Sequence, residues 1–306
     1  MLPHLLKKNK NINYIYKKLK TNLIELKDTI EIVSKGYSKG GTLDQHINSW
    51  KRFSIEVRQK KMPLLLRLNE FPESVLISGC QRSGTTMLSR IITQSDGMVN
   101  FWSGRDDELD AALILSGVRQ YNSKGRHCFQ TTYVNECVNE YYSLLNGHMG
   151  HKLIWVLRNP FSVVFSMLYN WNDFALNELF EFCGMQLFNR RRSENSYSYL
   201  HKGEISRLER ACFAYNGKTS QVFELINGLK KNTMMVIDYE YLINKQELIL
   251  PFIYQHINIP YQENYLADIY DKSVHKYKML STKDRKIIES ICMPVYEKAK
   301  SLSFKC

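Results

Sequence analysis

The segment with the clearest chemistry is residues 79–86, which read GCQRSGTT. Its two glycines, Gly79 and Gly84, let the backbone curl so that successive N–H groups point at one anion. A helix that starts after such a loop adds the positive end of its dipole, and Arg82 places a cation inside the loop itself. This combination of residues indicates a binding site for an anion such as a phosphate group.

The loop differs at one position from the ATP-binding motif G-x-x-x-x-G-K-[ST], because Thr85 stands where the lysine belongs. That lysine reaches between the β- and γ-phosphates, whereas a cation at Arg82 suits a shorter 5′ anion. Enzymes that use Mg·ATP also need an aspartate at the end of a neighbouring strand. Here the next predicted buried strand ends at Arg158, so a metal-bridged triphosphate is disfavoured.

Three apolar runs predict the strands that must position these residues, at 74–78, 152–157 and 234–239. The first two are each followed by a helical stretch, and Asn159 and Pro160 suit the N-cap and first turn of the second helix. Strands that alternate with helices favour a mainly parallel sheet covered on both faces. The predicted fold class is α/β, with a P-loop NTPase-like central parallel sheet flanked by helices.

Composition and charge narrow the class of protein. The chain has 306 residues, of which 44% are hydrophobic and 24% charged, and this excludes a disordered chain. Its net charge of +12 indicates an anionic partner, such as a nucleotide, a nucleic acid, a membrane surface or a sulfated ligand. Seven widely spaced cysteines without a C-x-x-C pair, and the lack of a signal peptide or membrane span, predict a cytoplasmic protein with reduced thiols.

Lysines are concentrated in residues 1–40, where Leu19, Leu23, Leu26 and Ile30 recur at helical spacing. The pattern predicts a basic amphipathic helix. Such a helix makes a peripheral contact with a membrane surface or a polyanion, or it packs on the domain with its lysines in solvent. The second interpretation is the more frequent one.

Two motifs, in this order, resemble the signatures of the sulfotransferases that use 3′-phosphoadenosine-5′-phosphosulfate (PAPS). The first is Arg-Ser-Gly-Thr-Thr at 82–86 after a strand, and the second is Arg-Asn-Pro at 158–160 followed by Ser166. A weaker third feature is the apolar run and Y-E-x-L sequence at 234–242. The resemblance implies a sulfotransferase domain over residues 71–306, preceded by a basic helical N-terminal extension over residues 1–70.

The resemblance also implies roles for individual residues. The backbone and hydroxyls of the loop would bind the 5′-phosphosulfate of PAPS, through Ser83, Gly84, Thr85 and Thr86. Arg82 would neutralise charge on the bridging oxygen as it leaves, and Arg158 and Ser166 would bind the 3′-phosphate. Ser162 lies one helical turn before Ser166 and would share its face. No catalytic metal is implied.

A sulfotransferase needs a general base, because the acceptor hydroxyl or amine loses a proton as it attacks. Some members of the family use a glutamate that follows the loop, and in that part of this chain we favour Glu108, then Asp107, then Asp106. A solvated acidic helix start explains the same three residues. His127, which precedes a possible strand at 128–133, is the rival base, although a surface histidine is the more frequent explanation.

Other features are weaker. The R-K-G tripeptide with which many members close over the 3′-phosphate is missing; Lys276 or Lys278 is the candidate to replace it, and a solvated lysine explains either residue equally well. His148 and His151 form H-x-x-H without the further ligands of a metal site. The three arginines at 190–192 either contact an anionic acceptor or belong to a solvated loop.

Two alternative functions remain open. The first is an atypical P-loop ATP-dependent kinase, which predicts Mg²⁺-dependent binding of ATP. The second is a non-enzymatic protein that binds anions or nucleic acid through the basic N-terminal helix, although no nucleic-acid-binding motif is present. The sequence does not identify the acceptor, which is a carbohydrate, a lipid, a peptide or a small molecule. It does not identify the oligomeric state either.

Overall fold

The computed structural model describes residues 49–101, 107–135, 137–171, 173–194, 205–265 and 276–305. Within these residues, five strands form one sheet: β1 Val75–Gly79, β2 Met98–Val99, β3 Arg126–Gln130, β4 Lys152–Leu157 and β5 Met234–Asp238. Their order across the sheet is β2-β3-β1-β4-β5, and all neighbouring strands pair in parallel. The prediction of an α/β fold with a P-loop NTPase-like parallel sheet is confirmed.

Helices connect the strands and cover the sheet. In the first half of the described chain they are α1 Ser49–Phe53, α2 Thr85–Thr93, α3 Asp107–Leu115, α4 Val138–Leu145, α5 Pro160–Asn170 and α6 Asp173–Leu179. In the second half they are α7 Met185–Glu194, α8 Arg207–Gly228, α9 Tyr239–Asn244, α10 Gln246–His256 and α11 Thr282–Lys300. No helix of the described ranges combines the length and the apolar character that crossing a bilayer requires.

Both faces of the sheet are buried, which is why its central strands are apolar at almost every position. Side chains of β4 alternate between the two faces. Leu153 and Trp155 pack with α5, α8 and α11, whereas Ile154 and Val156 pack with α2, α9 and α10. The result is a sheet between two helical layers, with a hydrophobic core on each side.

The described part of the predicted N-terminal extension, residues 49–70, packs into the core on the α8 side of the sheet. Phe53, Val57, Leu65 and Leu68 are fully buried there. The packing therefore continues across residue 70, where the sequence placed a domain boundary. The predicted basic helix before residue 49 lies outside the described residues.

The strand register brings the ends of four strands to one edge of the sheet. Gly79 at the end of β1 lies opposite Val156 near the end of β4, and Leu157 lies opposite Asp238 at the end of β5. Gln130 at the end of β3 lies opposite Ile77 of β1. The segments that follow these strands meet at this edge, where ligands bind in open α/β sheets.

Candidate active site

The loop after β1 has a strained backbone with three positive φ angles. Gly79, Arg82 and Gly84 have φ angles of 142°, 72° and 94°. A β-carbon on Gly79 would clash with the carbonyl oxygen of Val156, and one on Gly84 would clash with the ring of Tyr239. Glycine is therefore required at both positions, by the backbone conformation and by the neighbours.

Gly84 is also the N-cap of α2, so the N-terminus of this helix follows the loop directly. Thr85 and Thr86 form its first turn and line a cavity of about 640 Å³ at the edge of the sheet. The positive end of the helix dipole and the threonine hydroxyls therefore face the same space.

This cavity brings together most of the residues that the sequence singled out. Those that line it are Arg82, Gly84, Thr85, Thr86, Glu108, Arg158, Ser162 and Ser166. Two arginines and one carboxylate of this set come from three different segments, the loop after β1, the end of β4 and the first turn of α3. The cavity can therefore take a ligand with more than one anionic group.

Hydrogen bonds connect the two arginines to neighbouring segments of the cavity wall. Arg158 donates from Nη1 to the main-chain oxygen of Arg82 over 2.9 Å, and Arg82 donates from Nε to the Ser166 hydroxyl over 2.8 Å. Asn170 also donates to that hydroxyl, over 3.1 Å. The loop, the end of β4 and α5 thus form one connected wall of the cavity.

Arg158 is held in a buried setting with an exposed fraction of 7%. Its guanidinium lies 4.3 Å from the centre of the Tyr239 ring, and its Nε lies 4.0 Å from Oε1 of Glu240. The phenol of Tyr215 donates to its main-chain oxygen over 2.9 Å. Burial lowers the pKa of Arg158 from its ordinary value. These contacts fix the guanidinium in place before a ligand binds.

Glu240 is the acidic neighbour of this arginine. Burial raises the pKa of Glu240 to about 7, and the nearby charge of Asp238 adds to the rise, whereas Arg158 opposes it. The main-chain N–H of Asn159 donates to both Glu240 oxygens at 3.3 Å. Glu240 therefore titrates near neutral pH beside one of the two cations.

The candidate base Glu108 faces the threonines through a glutamine. Nε2 of Gln130 is 2.8 Å from the Thr85 hydroxyl, 3.0 Å from the Thr86 hydroxyl and 3.4 Å from Oε2 of Glu108. The carboxylate of Glu108 and the two threonines are thus separated by a single side-chain amide.

Two other predicted residues lie near the site but do not line the cavity. Ser83 is buried, and its main-chain N–H donates to the Cys80 oxygen over 3.1 Å, inside the loop. Asp107 is buried at the start of α3. Among the three acidic residues, Glu108 is therefore the one whose side chain the described structure places at the cavity. Asp106 lies outside the described residues.

His127 lies in β3, near the opposite end of the strand from Gln130. The expectation of a surface histidine was wrong, because its exposed fraction is 0% and its ring packs against Phe71, Tyr121 and Phe129. Burial lowers its pKa. The structure does not bring His127 to the cavity, because it is Gln130, at the other end of β3, that reaches the cavity.

The remaining candidates are scattered. Lys278, His148, Arg190 and Arg191 are exposed and do not line the cavity, and the side chains of Lys276 and Arg192 lie outside the described residues. His151 is buried near Asn69, and burial lowers its pKa to about 4. Within the described ranges, no three His, Cys, Asp or Glu side chains are grouped as a metal site requires.

Sequence reasoning missed the residues that complete the cavity wall. Trp50, Tyr133 and Trp171 line it as an aromatic cluster, with ring centres 4.6 Å apart for Trp50 and Tyr133 and 5.6 Å apart for Trp50 and Trp171. Gln130 was also missed, because its place at the end of β3 depends on the pairing of that strand with β1. Nothing in the sequence around Trp50 indicates the cavity.

No family model matches the chain, and no curated protein matches it. Solved structures with a similar fold include the sulfotransferase domain of the Curacin biosynthetic pathway, with 14% identity, 77% of this chain and 93% of that chain covered, and a TM-score of 0.41. The sulfotransferase domain of the Synechococcus PCC 7002 olefin synthase has 10% identity, 77% and 96% coverage and a TM-score of 0.45. A mouse sulfotransferase complexed with PAP has 13% identity, 78% and 93% coverage and a TM-score of 0.42. These scores lie below 0.5, so the likeness does not identify what this chain binds.

Proposed function

We propose that the chain is a sulfotransferase that moves a sulfuryl group from PAPS to a hydroxyl or amine of an acceptor. The observation that carries the proposal is the pair of arginines in one cavity, with Arg158 bonded to the main chain of Arg82 at 2.9 Å. PAPS has a phosphosulfate at one end of its ribose and a phosphate on another carbon, so it needs two separate cationic contacts. The cavity supplies both.

Each part of the site has a place in such a transfer. The acceptor oxygen or nitrogen forms a bond to sulfur as the bond from sulfur to the 5′-phosphate oxygen breaks. Arg82, the N-terminus of α2 and the hydroxyls of Thr85 and Thr86 stabilise the charge that grows on the leaving phosphate. Glu108 takes the proton that the acceptor loses. Arg158 and Ser166 hold the 3′-phosphate through charge-assisted hydrogen bonds.

The donor set at this edge of the sheet does not favour a Mg·ATP enzyme. The aspartate at the end of β5, Asp238, accepts from the main-chain N–H of Tyr241 at 2.8 Å and from the phenol of Tyr296 at 3.2 Å. Its oxygens are therefore engaged in capping α9 and holding α11. The end of β4 carries Arg158, which repels a divalent cation.

Calorimetry of the purified protein tests the donor. We expect adenosine 3′,5′-bisphosphate to bind more tightly than AMP or Mg·ATP, because its 3′-phosphate is held by Arg158 and Ser166. Arg158→Ala should weaken bisphosphate binding about 10- to 100-fold and change AMP binding little. The matched control is Arg285→Ala, which removes an exposed arginine of α11 outside the cavity.

Transfer itself is tested with PAPS that carries labelled sulfate, a cell lysate as the source of acceptors, and mass spectrometry of the labelled product. Wild-type protein should label a product, and Arg158→Ala should label much less. Tight binding of Mg·ATP together with equal affinities for AMP and the bisphosphate would instead support the kinase.

A further inference from the structure

Gln130 lines the cavity, and the proposed function assigns no role to it. It is the last residue of β3, with an exposed fraction of 1%, and its side chain reaches the cavity between α2 and α3. Pairing with Ile77 fixes its backbone beside β1, two residues before the loop begins. Its side chain is therefore anchored on the sheet where it contacts residues of the cavity wall.

The nitrogen of this amide has three oxygen neighbours and only two hydrogens to donate. The neighbours are the hydroxyls of Thr85 and Thr86, at 2.8 and 3.0 Å, and Oε2 of Glu108 at 3.4 Å. An ionised carboxylate only accepts hydrogen bonds, so Glu108 requires the nitrogen, and not the oxygen, of the amide on this side. The orientation of the amide follows from that requirement.

The orientation of the amide determines where the threonine hydroxyls point their hydrogens. A hydroxyl that accepts a hydrogen bond from the amide points its own hydrogen in another direction. For Thr85 and Thr86, which line the cavity at the N-terminus of α2, that direction is available to an anion in the cavity. An amide on the sheet thus sets the two hydroxyls as donors, and one of its two hydrogens is shared with the longer contact to the Glu108 carboxylate at 3.4 Å.

We infer that Gln130 is a positioning residue that orients the Thr85 and Thr86 hydroxyls toward a bound sulfate or phosphate group and holds the Glu108 carboxylate beside them. The role of Glu108 as base rests on the proposed function. The orientation of the hydroxyls does not, since it applies to any anion that the loop binds.

Gln130→Met removes the amide and keeps a side chain of similar volume, so it tests the role with little change in packing. Affinities are measured by calorimetry for two probes, adenosine 3′,5′-bisphosphate and inorganic pyrophosphate. We expect each affinity to fall about tenfold, because two donors lose their orientation. Gln221→Met is the matched control, since Gln221 lies on α8 outside the cavity, and its affinities should equal those of the wild type.

Two further readouts separate positioning from a structural role. The first is a double-mutant cycle, in which Gln130→Met combined with Thr86→Val should cost no more affinity than the more severe single change. The second is the pH profile of sulfuryl transfer. Loss of the amide donor leaves the Glu108 carboxylate less stabilised, so the acidic limb of the profile should move to higher pH.

The outcomes for this inference and for the proposed function differ. If the wild type binds the bisphosphate and Gln130→Met matches it in affinity and pH profile, the inference is overturned and the proposed function stands. If the wild type binds pyrophosphate but not the bisphosphate, the proposed function fails, and a loss of pyrophosphate affinity in Gln130→Met still supports the orientation of the hydroxyls. If the wild type binds neither probe, both fail.

A folding failure of Gln130→Met, detected by thermal melting, does not end the test. Gln130→Asn keeps an amide on a shorter side chain that cannot reach the same oxygens, and it is measured in the same way. Wild-type affinities and pH profile in that variant would overturn the inference, whereas a loss of affinity with an unchanged melting temperature would support it.

Discussion

At the scale of single residues, the ionisation of one carboxyl beside the cavity, that of Glu240 next to Arg158, depends on pH near neutrality. Glu240 lies 4.0 Å from Arg158 and has a pKa raised to about 7 by burial and by the charge of Asp238. The folded protein therefore holds a proton on Glu240 that the unfolded chain releases at a lower pH. Folding and ionisation of this carboxyl are linked.

The sign of that linkage gives a prediction. Because the pKa of Glu240 is raised in the folded state, its contribution to stability is complete below about pH 4.5 and is lost as the pH rises through about 7. Glu240→Gln cannot ionise, so between pH 5 and 8 its free energy of unfolding should fall less than that of the wild type, by on the order of 2–3 kcal/mol. Urea unfolding at a series of pH values measures this difference.

Glu247→Gln is the control for that series, because Glu247 is an exposed residue of α10. Its pH dependence should follow the wild type. If Glu240→Gln also follows the wild type, then Glu240 keeps its ordinary pKa, and the charge of Arg158 is balanced at all pH values near neutral.

The sequence was informative about the arginines and the loop that line the cavity, and uninformative about their neighbours. The loop at 79–86 and the arginine at the end of a strand have local patterns, so Arg82, Arg158 and Ser166 could be predicted to share one ligand, and they line one cavity. Gln130 and Glu240 have no such pattern. Their contacts depend on which strands are adjacent and in what register, and spacing along the chain does not contain that information.

At the scale of elements, the strands with continuous apolar runs were predicted to within one residue. The run at 152–157 coincides with β4, and the run at 74–78 differs from β1 by one position. The run at 128–133 predicted β3 less well, because the strand covers Arg126–Gln130 and stops beside the end of β1. The two residues of β2 are too few to show a period. Strand ends are set by pairing partners, which the composition of a run does not reveal.

The junction of β1, the loop and α2 gives a prediction with a matched pair of glycines. Gly84 and Gly97 both have positive φ angles, 94° and 78°. A β-carbon at Gly84 would meet the Tyr239 ring, whereas one at Gly97 would have nothing within 4 Å. Gly97→Ala should therefore cost only the backbone penalty, about 1–2 kcal/mol. Gly84→Ala should cost more and should abolish measurable bisphosphate binding, because the ring or the loop must move.

Urea unfolding and calorimetry on the two glycine variants measure both effects. A Gly84→Ala protein that binds the bisphosphate as tightly as Gly97→Ala would show that the loop tolerates a side chain there. In that case the close approach of Tyr239 has no part in shaping the anion site.

At the scale of the whole molecule, the segment before β1 belongs to the same core as the sheet. Trp50 lines the cavity, and Phe53, Leu65 and Leu68 are fully buried. The leucine-rich stretch at 62–68 lacks a clear helical or strand period, so nothing in the sequence joins it to the domain. The stretch lies beside α4 and the end of α3, where the main-chain N–H of Leu65 donates to Glu140 and that of Arg67 to Leu115, contacts that only the folded chain creates.

Two neighbouring leucines test whether this segment is part of the domain. Leu65 has an exposed fraction of 0%, and Leu66, the next residue, has one of 58%. Leu65→Ala should lower the free energy of unfolding by about 2–5 kcal/mol, because it removes buried apolar surface and leaves a cavity. Leu66→Ala should change it by about 0.5 kcal/mol or less. Both values are measured by urea unfolding monitored through tryptophan fluorescence.

If Leu65→Ala is as stable as Leu66→Ala, residues 49–70 do not contribute to the core, and a domain that starts at residue 71 would fold without them. A large difference between the two leucines means that a chain cut at residue 71 exposes core side chains and loses the Trp50 wall of the cavity together with its stability.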